Sequence, residues 1–190
     1  MTEDNTFIDI SKELMTFIEK SPTAFHVVAN FAEELTDAGF VRLNEKDRWQ
    51  LYPGGKYYVT RNDSSIIAFR MPAQESFTNF QIAAAHSDSP SFKVKENPEI
   101  SGDNNYVSLN VEKYGGMLMQ PWFDRPLSVA GRVIIKEGSA YKPVLVNVDR
   151  ALCMIPNPAI HMTRAANSGV NMNAMQNPIQ PFGDAPPPRL

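Results

Sequence analysis

Two residues that could hold or assist a metal ion, His86 and Asp88, stand at the end of an apolar run of the chain. The run, Phe80 to Ala85, is rich in small and apolar residues and is followed by Ser89-Pro90, which predicts a buried strand. α/β proteins usually place their chemistry where strands end. Because residues two apart in an extended chain point to the same side, His86 and Asp88 are expected to project together. One could bind a metal ion, and the other could orient it or assist it as a carboxylate.

This pair is not a metal centre by itself, because a zinc site needs three or four ligands. The chain has only three histidines, His26, His86 and His161, and His26 is interpreted as a surface or packed residue of a predicted helix. The other carboxylates considered as ligands occur singly and show no ligand spacing: Asp103, Glu112, Asp124 and Asp149. A histidine with carboxylates suits zinc, manganese or cobalt, so these residues leave the metal open.

Other kinds of chemistry find no support in the sequence. It contains neither a phosphate-binding glycine loop nor a Gly-x-Ser-x-Gly nucleophile elbow. The single cysteine, Cys153, lies among apolar residues and is predicted to be a buried, inert thiol. The cluster Trp122-Phe123-Asp124-Arg125-Pro126 is interpreted as an aromatic anchor beside an ion pair, or alternatively as a subunit or domain contact.

Composition narrows the class of protein further. A chain of 190 residues with 43% hydrophobic residues can build one ordinary domain, or two small or incomplete ones. The net charge of −3 offers no basic face for nucleic acid. No window is long and apolar enough to span a bilayer, and the acidic N-terminus does not resemble a secretory signal. A cytoplasmic protein without nucleic-acid or membrane partners is therefore expected.

The patterns predict an α/β region followed by a β-rich region, with the boundary near Lys95. Residues 1–95 are expected to form the first domain and residues 96–190 the second. The predicted elements are two helices, Phe7–Glu19 and a second one ending at Gly39, a hairpin of Lys56–Arg61 and Ser65–Met71, and strands at Phe80–Ala85, Val107–Lys113, Leu127–Lys136 and Val144–Val148. Helices, a hairpin and a buried strand together are typical of an α/β domain with a mixed sheet.

Several segments, in order along the chain, resemble the aspartyl aminopeptidases, a family of cytosolic dimetal zinc metallo-aminopeptidases. Ala85-His86-Ser87-Asp88-Ser89-Pro90 is similar to the family's metal motif, with Ser87 in place of the usual threonine. The other similar blocks are Ser21-Pro22-Thr23-Ala24-Phe25-His26, Tyr114-Gly115-Gly116, Trp122 to Ser128, Ala130-Gly131-Arg132 and Ile155 to Met162.

The resemblance implies a fold and a set of site residues. The fold is an incomplete α/β/α sandwich of the zinc-exopeptidase type, interrupted by a β-rich dimerisation domain. His86 would be a metal ligand, and Asp88 would be the catalytic carboxylate that supports the site. His161 would lie in the dimerisation domain and reach the active site of a neighbouring subunit, where it would contact the substrate or the metal.

The resemblance also implies an activity. The complete enzyme would hold two zinc ions and remove N-terminal residues, acidic ones by the family's preference, from peptides. Family members assemble from dimers into dodecamers and are more than twice as long as this chain. The chain is therefore expected to be an N-terminal fragment, inactive alone, that lacks the catalytic glutamate and most metal ligands. The alternative hypothesis is a non-catalytic oligomerisation or interaction module derived from such an enzyme.

Overall fold

The computed structural model of the protein describes residues 6–74, 76–101, 107–157, 159–161 and 180–181. Two α-helices come first, α1 (Thr6–Lys20) and α2 (Ala24–Asp37). The strands of the described residues are β1 (Val41–Leu43), β2 (Lys56–Arg61), β3 (Ser65–Arg70), β4 (Ser91–Ser101), β5 (Val107–Tyr114), β6 (Ala130–Glu137), β7 (Ala140–Asn147), β8 (Cys153–Met154) and β9 (Gln180–Pro181). A short 3-10 helix, Gln120–Trp122, lies between β5 and β6.

The chain divides into two compact units. Unit 1 is formed by residues 1–88 and 130–147, and unit 2 by residues 89–129 and 148–190. The boundary predicted near Lys95 lies inside strand β4, whereas the units separate just before that strand. The assignment of residues 1–95 and 96–190 to a peptidase domain and a dimerisation domain stays a prediction.

Both predicted helices of unit 1 are confirmed, and the second is bounded by residues suited to helix ends. Thr23 precedes α2 in an extended conformation, as a residue at the start of a helix does. Gly39 follows α2 with φ +80°, a conformation that glycine adopts without the steric penalty of a side chain. Its N–H donates to the Thr36 carbonyl at 2.9 Å, which satisfies one acceptor of the last turn.

The sheet of unit 1 is mixed, as predicted. Strand β1 pairs with β2 in parallel, and β2 pairs with β3 in an antiparallel hairpin. The turn between them uses Asn62 and Asp63, with φ 52° and 51°, and these two residue types enter the left-handed region more readily than others. Helix α2 packs against β2 and β3, and the buried residues of this unit lie on α2 and β2: His26, Val28, Tyr57, Tyr58 and Val59.

The antiparallel hairpin β6–β7 belongs to unit 1, although its sequence lies beyond Lys95. Arg132 of β6 donates hydrogen bonds to the Asn62 carbonyl at 2.7 Å and to the Asn62 side-chain oxygen at 3.2 Å. The same guanidinium lies 4.1 Å from the centre of the Phe25 ring on α2, a cation–π contact. Arg132 therefore ties the hairpin to α2 and to the β2–β3 turn.

The prediction of a buried strand at Phe80–Ala85 is wrong for the described structure. These residues belong to no described strand, and Phe80 and Ile82 are 78% and 82% exposed. An apolar run shows that a segment is suited to burial, but a strand also needs a neighbouring strand that bonds its N–H and C=O groups. None of the described strands pairs with this run.

Unit 2 has a hairpin and a small apolar core. Strand β4, which the sequence did not predict, pairs with the predicted β5 across an irregularity between Val94 and Glu99. The core of unit 2 consists of Val111, Phe123, Cys153 and Ile155. Partly buried side chains, among them Phe92, Trp122 and Leu127, pack around it. The Phe92 and Trp122 rings meet edge to face with centroids 5.3 Å apart.

Candidate metal site

The predicted contact between His86 and Asp88 is present. Nδ1 of His86 lies 2.7 Å from the Asp88 carbonyl oxygen and 3.2 Å from Asp88 Oδ1. A carbonyl oxygen can only accept, so Nδ1 must carry the proton in this arrangement. In the neutral imidazole the lone pair then belongs to Nε2, the nitrogen that a metal ion would bind. A ligating histidine whose other nitrogen donates to a carboxylate or carbonyl is the usual arrangement at metal sites.

Ser87 fixes the position of this pair within unit 1. Its hydroxyl donates to the Ser64 carbonyl, in the β2–β3 turn, at 3.0 Å. A threonine at the same position carries the same hydroxyl and could make the same bond. The family motif alone did not indicate this bond, although the replacement of threonine by Ser87 keeps the hydroxyl that makes it.

The donor set fits a zinc site in part. An imidazole with a carboxylate beside it is suitable zinc chemistry, but the described residues contain no group of three or more histidine, cysteine, aspartate or glutamate side chains placed to hold an ion. The His86 and Asp88 side chains are also open to solvent, at 81% and 44% exposed. These residues therefore offer one ligand and its orienting partner.

His26 is a packed histidine, as interpreted from the sequence. It is buried on α2, and its Nδ1 shares a hydrogen bond of 2.8 Å with the Thr23 hydroxyl. Asn30, one turn further along α2, donates to the Lys20 carbonyl at 3.1 Å and to the Ser21 hydroxyl at 2.9 Å. The Ser-Pro-Thr-Ala-Phe-His block thus joins the end of α1 to the start of α2.

We expect His26 to make the stability of unit 1 depend on pH. Burial lowers the pKa of His26 below its ordinary value of about 6.5, so the folded state disfavours the proton that the unfolded state binds. The contribution is complete above about pH 6.5 and declines as the pH falls below that value. Urea unfolding of the wild type and of His26→Gln between about pH 7.5 and 5 measures it, and the variant should lose less stability on acidification. Parallel losses in both proteins would contradict the prediction.

His161 lies in a turn of unit 2 and is exposed. It belongs to a different compact unit from His86 and Asp88. Part of the stretch around it, Pro158 and residues 162–179, falls outside the described residues. Of the carboxylates considered as ligands, Asp103 also lies outside them, while Asp124 makes a contact that the sequence did not predict.

The Trp122–Pro126 cluster is an aromatic anchor. Phe123 is buried in the core of unit 2, and Trp122 packs beside it. The predicted ion pair is not seen, because among the described ion pairs none joins Asp124 to Arg125. Instead Asp124 Oδ1 accepts the Asn157 N–H at 2.9 Å, and Arg125 donates to the Pro121 carbonyl at 3.4 Å.

Cys153 is buried, as predicted, with 2% of its surface exposed. Burial also raises the pKa of its thiol, since the thiolate is poorly solvated in the core. A thiol with a raised pKa is ionised to a smaller extent at neutral pH, and the thiolate is the nucleophile, so Cys153 is a packing residue.

An imidazole whose Nδ1 is oriented by a neighbouring carboxylate is an arrangement typical of metal-binding histidines. The profile of the aminopeptidase I zinc metalloprotease (M18) family matches residues 17–183. The chain belongs to this family, which confirms the resemblance to zinc metallo-aminopeptidases.

Individual relatives agree with the family assignment. The probable M18 family aminopeptidase 2 of Pseudomonas paraeruginosa is 47% identical over 92% of this chain, and the match covers 40% of that protein. The structure of Chaetomium thermophilum mApe1 matches 93% of this chain and 40% of its own with a TM-score of 0.84 and 34% identity. The S. cerevisiae mApe1 dodecamer matches 96% of this chain and 39% of its own with a TM-score of 0.73 and 29% identity.

These comparisons give the fold class and the share of its relatives' length that the chain spans. The α/β fold class is confirmed, and the chain spans about 40% of the length of the curated relatives it matches. Within the residues that the structure describes, no helix has the length and apolar character needed to cross a membrane.

Proposed function

We propose that this chain forms part of the active site of a zinc metallo-aminopeptidase that removes acidic residues, Asp or Glu, from the N-terminus of peptides. The observation that carries the proposal is the contact of His86 Nδ1 with Asp88, which leaves Nε2 as the nitrogen for the metal. Membership of the M18 family supplies the reaction class. The acidic preference rests on the resemblance to the aspartyl aminopeptidases.

In this proposal His86 is one ligand of the metal centre and Asp88 is the carboxylate that supports it. Asp88 holds the imidazole in the tautomer with the proton on Nδ1 and makes the Nε2 lone pair a better ligand for the metal. Ser87 anchors the pair to the β2–β3 turn, so the ligand is presented from a fixed point of unit 1. The zinc, when bound, supplies Lewis-acid activation of the peptide carbonyl and of water. The complete centre is proposed to contain two zinc ions.

His161 is proposed to act in a neighbouring subunit, where it would contact the substrate or the metal. Its exposure on unit 2 is compatible with such a role, because a residue that acts in another subunit must be exposed to solvent in the isolated chain. The S. cerevisiae relative is described as a dodecamer. By this analogy the complete protein is proposed to be a homo-oligomer. A cytoplasmic location is proposed on the resemblance to the aspartyl aminopeptidases, which are cytosolic.

The 190-residue chain alone is expected to show little or no peptidase activity. The described residues hold one ligand with its partner, and catalysis needs a complete metal centre and a general base. The test is the release of the first residue from peptides that begin with Asp, Glu or Leu, with zinc and with a chelator. Zinc-dependent release of any residue would contradict the expected inactivity. A preference for Leu would contradict the proposed substrate class.

A calorimetric zinc titration separates this proposal from a non-catalytic interaction module. Tight binding of two ions would indicate a working centre within the chain. Weak binding at one site that requires His86 fits a partial centre, and absence of binding would favour the module. Large exposed apolar side chains on α1, among them Phe7, Leu14 and Ile18, are the feature that favours the module. Sedimentation of the same sample shows whether the chain associates with itself.

A further inference from the structure

We propose that Asp124 is a positioning residue for His161, because it holds the chain segment that leads to that histidine. The inference rests on the proposed function of His161 for its catalytic meaning. It rests on the geometry of unit 2 alone for the positioning itself.

The backbone of Asp124 makes the first contact with the segment that leads to His161. Its φ is 55°, in the left-handed region, where a non-glycine residue is uncommon and where aspartate and asparagine are enriched. In this conformation the Asp124 N–H donates to the Ile155 carbonyl at 2.9 Å. Phe123 and Ile155 form a parallel bridge at the same place, and both side chains are buried. A hydrogen bond and the neighbouring bridge therefore both hold the turn at Asp124 against buried Ile155.

The side chain of Asp124 completes the contact. Oδ1 accepts the Asn157 N–H at 2.9 Å, two residues beyond the carbonyl that the Asp124 backbone engages. A carboxylate acceptor makes a stronger bond with a backbone N–H than a neutral oxygen does. Asp124 thus engages the segment Ile155–Asn157 with both its backbone and its side chain.

The segment is also fixed at its upstream end. The Leu127 N–H donates to the Cys153 carbonyl at 2.8 Å, and the Leu127 carbonyl accepts the Leu152 N–H at 2.8 Å. Only Pro158, Ala159 and Ile160 separate Asn157 from His161. The bond to Asn157 is therefore the last described tie between the Trp122–Pro126 cluster and the chain before His161.

The types of the residues agree with this role. Buried Ile155 and Phe123 would hold the region together without any carboxylate, so packing alone does not explain the acceptor at Asn157. Asp124 is itself exposed, and no described ion pair uses its charge. Its described contacts act on the segment before His161.

Three variants of the 190-residue chain separate the acceptor from the backbone conformation. Asp124→Gly keeps the left-handed turn and removes the acceptor, whereas Asp124→Ala removes the acceptor and disfavours the turn. Asp124→Asn keeps both an oxygen acceptor and a tolerance of the left-handed region. The chain has only three histidines, so ring-labelled histidine NMR observes His161 with His26 and His86 as internal controls.

We expect Asp124→Gly and Asp124→Ala to speed hydrogen exchange of the Asn157 amide by about tenfold or more, because the amide loses its acceptor. A tenfold change corresponds to about 1.4 kcal/mol in the free energy of opening. The same variants should change the His161 ring signals and leave those of His26 and His86 as in the wild type. Asp124→Asn should behave like the wild type. An unchanged Asn157 amide and His161 ring in Asp124→Gly, or an Asp124→Asn that matches Asp124→Ala, would overturn the proposal. Because this readout involves no catalysis, failure of the peptidase proposal would leave it standing.

Discussion

Replacement of Ile155 by alanine is expected to lower the free energy of unfolding of unit 2 by about 3 kcal/mol, within the range of about 2–5 kcal/mol for such a change in a core. Ile155 is 1% exposed and packs in the cluster of Val111, Phe123 and Cys153. The change removes buried methylene and methyl groups and leaves a cavity that this small core cannot easily close. A loss of this size is a large part of the stability of an ordinary domain.

Tryptophan fluorescence during urea unfolding can measure this effect. Trp122 packs beside the core of unit 2, whereas Trp49 belongs to unit 1, so a Trp49→Phe background isolates the signal of unit 2. Ile100→Ala is the matched control, since Ile100 lies in the same unit with 45% of its surface exposed. It should cost about 0.5 kcal/mol or less. Equal losses from the two isoleucine variants would show that Ile155 is not a core residue.

Removal of the His86 imidazole is expected to abolish specific zinc binding by the chain. Zinc that binds the folded state raises its stability, by about 2.7 kcal/mol when the free ion is at one hundred times its dissociation constant. The wild type should therefore unfold at a higher temperature when zinc is added, and His86→Ala should show no such shift. The loss should be complete, because the described residues contain no other group of three or more potential ligands that could take over.

The role of Asp88 is tested by a smaller change in the same assay. Asp88→Asn keeps the backbone carbonyl that His86 Nδ1 contacts at 2.7 Å and replaces the carboxylate at 3.2 Å. Loss of such an orienting partner typically weakens metal affinity by about 10–100-fold. Asp47→Asn, at an exposed aspartate elsewhere in unit 1, removes the same charge and should leave zinc affinity unchanged. Zinc affinity in His86→Ala equal to that of the wild type would place the metal elsewhere.

Elements and contacts that depend on neighbouring residues could be predicted from the sequence. Helices α1 and α2 follow from apolar spacing with Thr23 and Gly39 at the ends of α2, and the β2–β3 hairpin follows from two strand-like runs around Asn62 and Asp63. The contact of His86 with Asp88 also joins residues two apart. Each of these features is decided within a few residues by backbone geometry or by side-chain periodicity.

Contacts between distant parts of the chain could not be predicted. Sequence patterns do not show which strand will pair with an apolar run, and Phe80–Ala85 has no partner among the described strands. Strand β4 contains Asn97 and Pro98, residue types that are uncommon in strands, and β5 supplies its hydrogen bonds. Arg132 belongs with Phe25 and Asn62, far from it in sequence, and this tie is part of how β6–β7 joins unit 1.

The sequence alone therefore determined the class of the protein and the pair that could hold a metal, because the His86–Asp88 motif and the matching blocks are local. The tertiary structure alone decided how that pair is held. It tied Ser87 to the Ser64 carbonyl. It also brought Asp124 to Asn157. Hydrogen bonds between residues far apart in sequence depend on the path of the whole chain, and residue types and spacing do not specify that path.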